Sequence, residues 1–141
     1  VMSLTGTKGK EDYGYAVKIP HSSRALLMNQ RIAKFEPLAC NQLNPDYLFY
    51  YLRSRRFLDM LYPTANGTRQ GNLSSVVIKK LPITLRNIDE QKSLARSLDV
   101  VCEQSRNLEL LYQQKLTALD ELKKSLLARA FAGELASAAV A

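Results

Sequence analysis

The chain has 141 residues, 46% of them hydrophobic and 23% charged, and carries a formal net charge of +7. This composition excludes a collagen-like chain, a disordered chain and a disulfide scaffold, and the length suits one domain with an appendage rather than a two-domain enzyme. No run of eighteen apolar residues occurs, and the opening residues VMSLTG carry neither a charged nor an apolar leader region, so neither a membrane span nor a secretion signal is expected.

In chain order, Tyr13–Ile19 and Leu26–Phe35 read as strands. Asn44-Pro45-Asp46 supplies a cap, a proline at the first helical position and an early acid, so a helix begins there. Tyr47, Tyr51, Ser54, Leu58 and Leu61 recur at spacings of four and three, which predicts a helix running to about Leu61 with a mostly apolar face. Arg55 and Arg56 point away from that face. They are either phosphate-contacting cations or part of a solvated surface on which Arg55 pairs with Asp59 one turn on. Residues 63–75, PTANGTRQGNLSS, read as a loop of the kind that carries function. Val76–Lys80 reads as a short helical turn and Leu81–Leu85 as a last strand.

From Glu90 to about Phe131 there is no Gly or Pro, and strong helix formers dominate, predicting one long helix. Leu94, Leu98, Val101, Ser105, Leu108, Tyr112, Lys115, Leu119, Leu122, Leu126 and Arg129 follow one another at spacings of four and three, and eight of the eleven are apolar. That is the seam of a left-handed coiled coil. Asn87 with Glu90, or Asp89 itself, can cap the first turn, and Gly133 can end the helix. A rod of roughly 60 Å at about 1.5 Å per residue is longer than the preceding residues can cover, so much of its stripe requires another helix. Ser105 and Lys115 either fix register and strand orientation or face outward where the helix drifts from strict heptads. The expected fold is α+β: a mixed α/β globular domain over residues 1–88, one long coiled-coil helix over 89–133, and a tail over 134–141.

Charge divides along the same line. Residues 1–88 hold thirteen basic and five acidic side chains, a net +8, whereas residues 89–141 hold a net −1. A basic domain of this size attracts polyanions, either nucleic acid or an acidic surface.

Catalytic and metal motifs are lacking. Cys40 and Cys102 lie 62 residues apart with no CxxC, and only His21 could join them; a zinc site would lack ligands, and reduced thiols in a cytoplasmic protein are expected. Gly6-Thr7-Lys8-Gly9-Lys10-Glu11 is too short for a P-loop and lacks its Ser or Thr. Asn44-Pro45-Asp46-Tyr47 is similar to the NPPY-type motif of amino-methylating DNA methyltransferases, but Asp46 stands where that motif has proline and no glycine-rich cofactor loop accompanies it. No nucleophile elbow and no spaced carboxylate pair occur. The expectation is a non-catalytic protein without cofactor or metal.

The ordered blocks NQRIAKFEP at 29–37, NPDYLFYYLRSRRF at 44–57, NGTRQGNLS at 66–74, KKLPITL at 79–85, DEQ at 89–91 and LKKSLLARAFAGEL at 122–135 resemble the specificity subunit of a type I restriction-modification system. The resemblance spans Ser3 to Leu135. It implies a target recognition domain that binds one half of a bipartite double-stranded DNA site. It further implies a long helix that packs antiparallel on its counterpart from a second repeat or a second copy. That helix would seat modification (methyltransferase) subunits, and through them restriction subunits. Relatives with two recognition domains are much longer, so the chain resembles the later part of a half-subunit. Blocks shared by members with different targets, such as NQR and GTxQ, hold the fold or contact the DNA backbone, and the backbone-contact candidates are Lys8, Lys10, Thr68, Arg69 and Gln70, with Arg55 and Arg56 as a second patch. Base reading falls to the less shared stretches Glu11–Arg24 and Tyr62–Asn66, with Tyr13, Lys18, His21 and Arg24 as candidates. The helix interface is expected to use Leu94, Leu98, Val101, Leu108, Tyr112, Leu119, Leu122 and Leu126. Two other classes stay open: a coiled-coil scaffold with a solubilising basic domain, and a fragment of a methyltransferase.

Overall fold

The computed structural model describes residues 1–20, 24–36 and 42–134. It is an α+β chain of two compact units, residues 1–98 and 99–141. The first holds short antiparallel pairings and helices around an apolar core, and the long helix begins within it.

Strand β1 (Met2–Ser3) pairs antiparallel with β3 (Ile32–Ala33), and β2 (Thr5–Thr7) pairs antiparallel with β4 (Gln70–Asn72). Met2 and Leu61 are fully buried, and around them gather Leu4, Tyr13, Ala16, Leu52, Phe57, Ala65, Leu73 and Ile78. At roughly 1.5–3 kcal/mol for each fully buried large aliphatic or aromatic side chain, this cluster is the main force holding the unit closed.

Both predicted strands are shorter than the alternation implied. Tyr13–Ile19 runs beside β1, with Ser3 N–H donating to the Tyr15 carbonyl (3.1 Å) and Val17 N–H to that of Val1 (2.9 Å), but only Ala16 forms a bridge. In Leu26–Phe35 the paired part is Ile32–Ala33. An Asx-type turn precedes it, the Asn29 side chain accepting from Arg31 N–H at 2.9 Å.

The predicted helix from Pro45 to Leu61 is two helices, α1 (Pro45–Leu52) and α2 (Arg55–Leu61). Ser54 is the reason. Its hydroxyl donates to the Tyr51 carbonyl at 2.7 Å and accepts from Phe57 N–H at 3.3 Å. The serine therefore ends one helix and caps the next, a competition that short polar side chains often win. The new direction sends Phe57 and Leu61 into the core. Asn44 caps α1 as expected, its side chain accepting from Asp46 and Tyr47 N–H at 3.0 and 2.9 Å.

The segment read as a loop contains a 3-10 turn, Tyr62–Thr64, and strand β4. The short helix α3 (Ser75–Ile78) lies where a helical turn was expected. No strand forms at Leu81–Leu85. Pro82 has no N–H to give, and the Tyr51 and Tyr47 hydroxyls take the Pro82 and Thr84 carbonyls at 3.0 and 2.7 Å, binding this stretch to α1 instead.

Helix α4 spans Ile88–Phe131. Asn87 and Glu90 form its cap: Asn87 accepts from Glu90 N–H at 2.8 Å and donates its amide to the Glu90 carboxylate at 2.7 Å. Gly133, at φ +77°, follows its last turn. The first three turns are part of the globular unit, with Gln91 and Ala95 buried. From Asp99 to Glu134 every side chain is exposed. No helix among the described residues is long and apolar enough to cross a membrane.

Candidate nucleic-acid interface

Two sequence blocks more than fifty residues apart meet at the end of the β2–β4 pair. Thr7 lies opposite Gln70, Gly6 opposite Gly71 and Thr5 opposite Asn72. One step further, Lys8 N–H donates to the Arg69 carbonyl at 3.0 Å. The two glycines face the Tyr13 ring. A Cβ on Gly71 would lie 2.7 Å from Tyr13 Cζ, and one on Gly6 would lie 2.7 Å from Tyr13 Cδ1. Only glycine at both positions lets the sheet sit down on that ring.

Each strand leads into a tight turn at this end. On one side the Lys10 N–H donates to the Thr7 carbonyl at 3.0 Å, and the Asp12 carboxylate accepts from Thr7 N–H at 2.7 Å. Hydrogen bonds from Thr7, its side chain foremost and then its backbone, hold the Asp12 carboxyl below its ordinary range. On the other side Asn66 and Asn72 exchange backbone hydrogen bonds of 2.9 Å, and Gly67 takes φ +103°, where a Cβ would meet the Gln70 carbonyl oxygen at 2.1 Å. These turns leave Lys8, Lys10, Thr68, Arg69 and Gln70 exposed together. Lys8 gives one of its three donors to the Ala65 carbonyl at 2.6 Å, which fixes the ammonium beside the second turn. The Lys10 and Arg69 side chains have no ion pair among the described residues.

The second patch differs between its two members. Arg55 is bound bidentately by Glu11, at 2.8 and 2.9 Å, and by Asp59 at 2.7 Å. Its pKa is raised by Glu11 first and Asp59 next, and much of its charge is offset locally. The pairing with Asp59 that its spacing allowed is formed. Arg56 is exposed and has no ion pair among the described residues.

The base-reading candidates are not gathered at one place. Tyr13 is 3% exposed and lies in the core, its ring edge-on to Tyr62 at 5.4 Å, so its side chain does not reach a DNA groove. Lys18 is tied to α1, with Asp46 at 2.8 Å and the Phe49 and Tyr50 rings at 4.9 and 5.4 Å. Arg24 lines a groove of about 670 Å³ with Leu26, Leu27 and Met28. His21 lies outside the described residues.

Two placements were not anticipated from the sequence. Arg53 lies over the Tyr15 and Phe49 rings at 5.3 and 5.0 Å, clasping the start of the candidate base-reading segment to α1. Gln91 is fully buried; its Oε1 accepts from Asn44 N–H at 2.8 Å, and its Nε2 donates to the Gln42 and Arg86 carbonyls at 2.9 and 2.7 Å. The signal was a glutamine three residues before the first seam leucine, where an apolar residue would continue the stripe.

On α4 the eight interface candidates are all exposed, from 40% at Leu94 and Leu98 to 61% at Leu119. Among the described residues no group of three His, Cys, Asp or Glu side chains could hold a metal ion.

Residues 7–118 match the family model described as the type I restriction modification DNA specificity domain. The chain belongs to this family, whose role is DNA specificity within type I restriction-modification systems. No curated protein and no solved structure matches it.

Proposed function

We propose that residues 1–98 bind one half-site of a bipartite double-stranded DNA target, without catalysing any reaction, and that α4 is both spacer and docking element. The observation that carries this reading is the β2–β4 end, where Lys8, Lys10, Thr68, Arg69 and Gln70 form one exposed cationic and hydrogen-bonding surface. Such groups suit phosphate contacts, which position a protein on DNA without reading sequence. Arg56 supplies a second, exposed cation, and Arg55 contributes less because Glu11 and Asp59 already hold it. Base reading falls to Lys18, His21 and Arg24 and to the 62–66 turn.

The exposed stripe of α4 pairs with a like helix, from a second copy or a second repeat, and holds two heads apart. Modification subunits dock on the paired helices, and restriction subunits bind through them in the cytoplasm. The test is a salt titration of DNA binding by the whole protein. Arg69→Ala is expected to weaken all sequences alike and to reduce the log–log salt slope by about 0.9. Relaxed discrimination at a single base pair would show that Arg69 reads sequence instead.

A further inference from the structure

The stretch Glu11–Arg24 is held in two ways. As far as Tyr13 the interior fixes it: the Asp12 carboxylate accepts from Thr7 N–H at 2.7 Å, and the Tyr13 ring lies in the core. Beyond Tyr13, among the described residues, backbone bonds to the first strand end at Val17, whose N–H donates to the Val1 carbonyl, and Tyr15, Val17 and Ile19 are exposed. A cleft of about 340 Å³ separates this part from α1, with Val17 and Ile19 on one wall and Leu48 and Phe49 on the other. Apolar packing therefore does not seat it on the helix, and the side chains that reach across the cleft decide where it lies.

Four such side chains alternate ring and cation. The Arg53 guanidinium lies 5.3 Å from the centre of the Tyr15 ring and 5.0 Å from that of Phe49. The Lys18 ammonium lies 4.9 Å from the same Phe49 ring, with the Asp46 carboxylate at 2.8 Å. All three ring contacts fall within the roughly 6 Å over which a ring face attracts a cation. The local fold brings Arg53 to this place. It is the C-cap of α1, its N–H bonded to the Tyr50 and Tyr51 carbonyls, and Ser54 turns the chain immediately after it. A flat, delocalised and weakly hydrated guanidinium stacks on rings at little desolvation cost, which an ammonium or a neutral amide does less well.

We propose that Arg53 is a positioning residue for base reading: by holding the Tyr15 and Phe49 rings together it fixes the line along which Lys18 and the residues after it meet DNA, and it does not itself contact phosphate. This rests on the DNA reading above and adds the residue that sets its geometry. Arg53 thereby differs from Lys10, Arg56 and Arg69, exposed cations whose value to DNA binding is their charge. Its removal costs discrimination between sequences rather than affinity for DNA in general.

The test uses the full chain carrying Arg53→Gln, Arg53→Lys, Tyr15→Leu, or Arg53→Gln with Tyr15→Leu. Hydrogen exchange reads the clasp without DNA. In Arg53→Gln the Tyr15 and Val17 amides are expected to exchange roughly three- to ten-fold faster, the loss of two exposed cation–ring contacts, with Arg53→Lys in between. The Leu73 amide, bonded to the Leu4 carbonyl, reports the core and stays unchanged. For binding, the wild-type chain selects from a pool of random-sequence DNA duplexes, and affinities for the enriched duplex and a scrambled one are measured across a salt series. Arg53→Gln is expected to lower the ratio of the two affinities by a similar factor while the scrambled duplex binds as before with the same salt slope. In the Tyr15→Leu background, Arg53→Gln should cost much less, because the two changes break one contact.

A salt slope flattened by about 0.9 would mean that Arg53 holds a phosphate, and overturns the proposal. Unchanged exchange at Tyr15 and Val17 overturns it, as does a loss of discrimination that is equally large with Tyr15→Leu. These outcomes leave the DNA reading standing when the wild-type chain enriches a sequence. A wild-type chain that enriches none overturns the base-reading role itself, even where the exchange results show the clasp.

Discussion

Removing the Gln91 side chain should detach the start of α4 from the globular unit it closes. The group is fully buried and makes three hydrogen bonds to backbone atoms, at Asn44, Gln42 and Arg86. A typical net contribution is about 0.5–1.5 kcal/mol per bond. Gln42 and Arg86 are exposed residues, so water can replace part of what their carbonyls lose, whereas the Asn44 N–H sits at the half-buried cap of α1. Gln91→Leu, which keeps the volume, should therefore cost about 2–4 kcal/mol. Gln91→Glu tests the direction of the bonds. It keeps the acceptor for Asn44 but turns an oxygen toward two carbonyls, so the folded state should raise its pKa above the ordinary value of about 4.3. A group raised on folding destabilises when ionised. The ionisation penalty of this variant should be largest at neutral pH, shrink as pH falls through the raised folded value, and vanish below the unfolded one, leaving only the loss of one of the two donated bonds, since a protonated carboxyl has a single O–H. Urea unfolding followed by tyrosine fluorescence reads the right unit, because six of the seven tyrosines lie within residues 1–98. A loss under about 0.5 kcal/mol for Gln91→Leu, or a Gln91→Glu protein whose deficit does not change between neutral and acid pH, would refute this account.

Gly71→Ala places a methyl group 2.7 Å from the Tyr13 ring, so about 1–3 kcal/mol of stability should be lost in the same urea assay; an unchanged midpoint would mean that the ring moves freely. Arg55→Ala should reduce DNA affinity less than Arg69→Ala in a fluorescence anisotropy titration, since Glu11 and Asp59 already offset Arg55; equal losses would contradict that. The Asp12 carboxyl is held low by Thr7, so its support of the 7–12 turn is full above its unfolded pKa and disappears as pH falls through the lower folded value. Protection of the Thr7 amide against exchange, measured relative to its intrinsic rate at each pH, should fall only in that acid range, and Asp12→Asn should remove the dependence. Leu108→Asp should abolish self-association in sedimentation while leaving the unfolding of residues 1–98 unchanged.

The long helix was legible because its signals are local: an Asn–Glu cap, forty residues free of Gly and Pro, and a four-three repeat. The α1 cap was legible for the same reason. The break at Ser54 was not, since periodicity carries the pattern straight through a serine whose hydroxyl decides the turn. Nor was the fate of Leu81–Leu85, whose carbonyls go to tyrosines more than thirty residues away. The cationic site was half legible. Its residue types could be named, but the meeting of Lys8 with Arg69 depends on strand pairing between distant segments. The burial of Tyr13 was not legible either, because an aromatic beside charged residues looks exposed until the two glycines that cover it are seen.

The first three turns of α4 are interior parts of the unit that ends at Leu98. Anyone transplanting residues 1–98 onto a different helix would therefore place the junction beyond Leu98. A cut at Arg86 would strand the cap of α1 without the glutamine that completes it, so the transplanted unit would keep its fold only if that joint travelled with it.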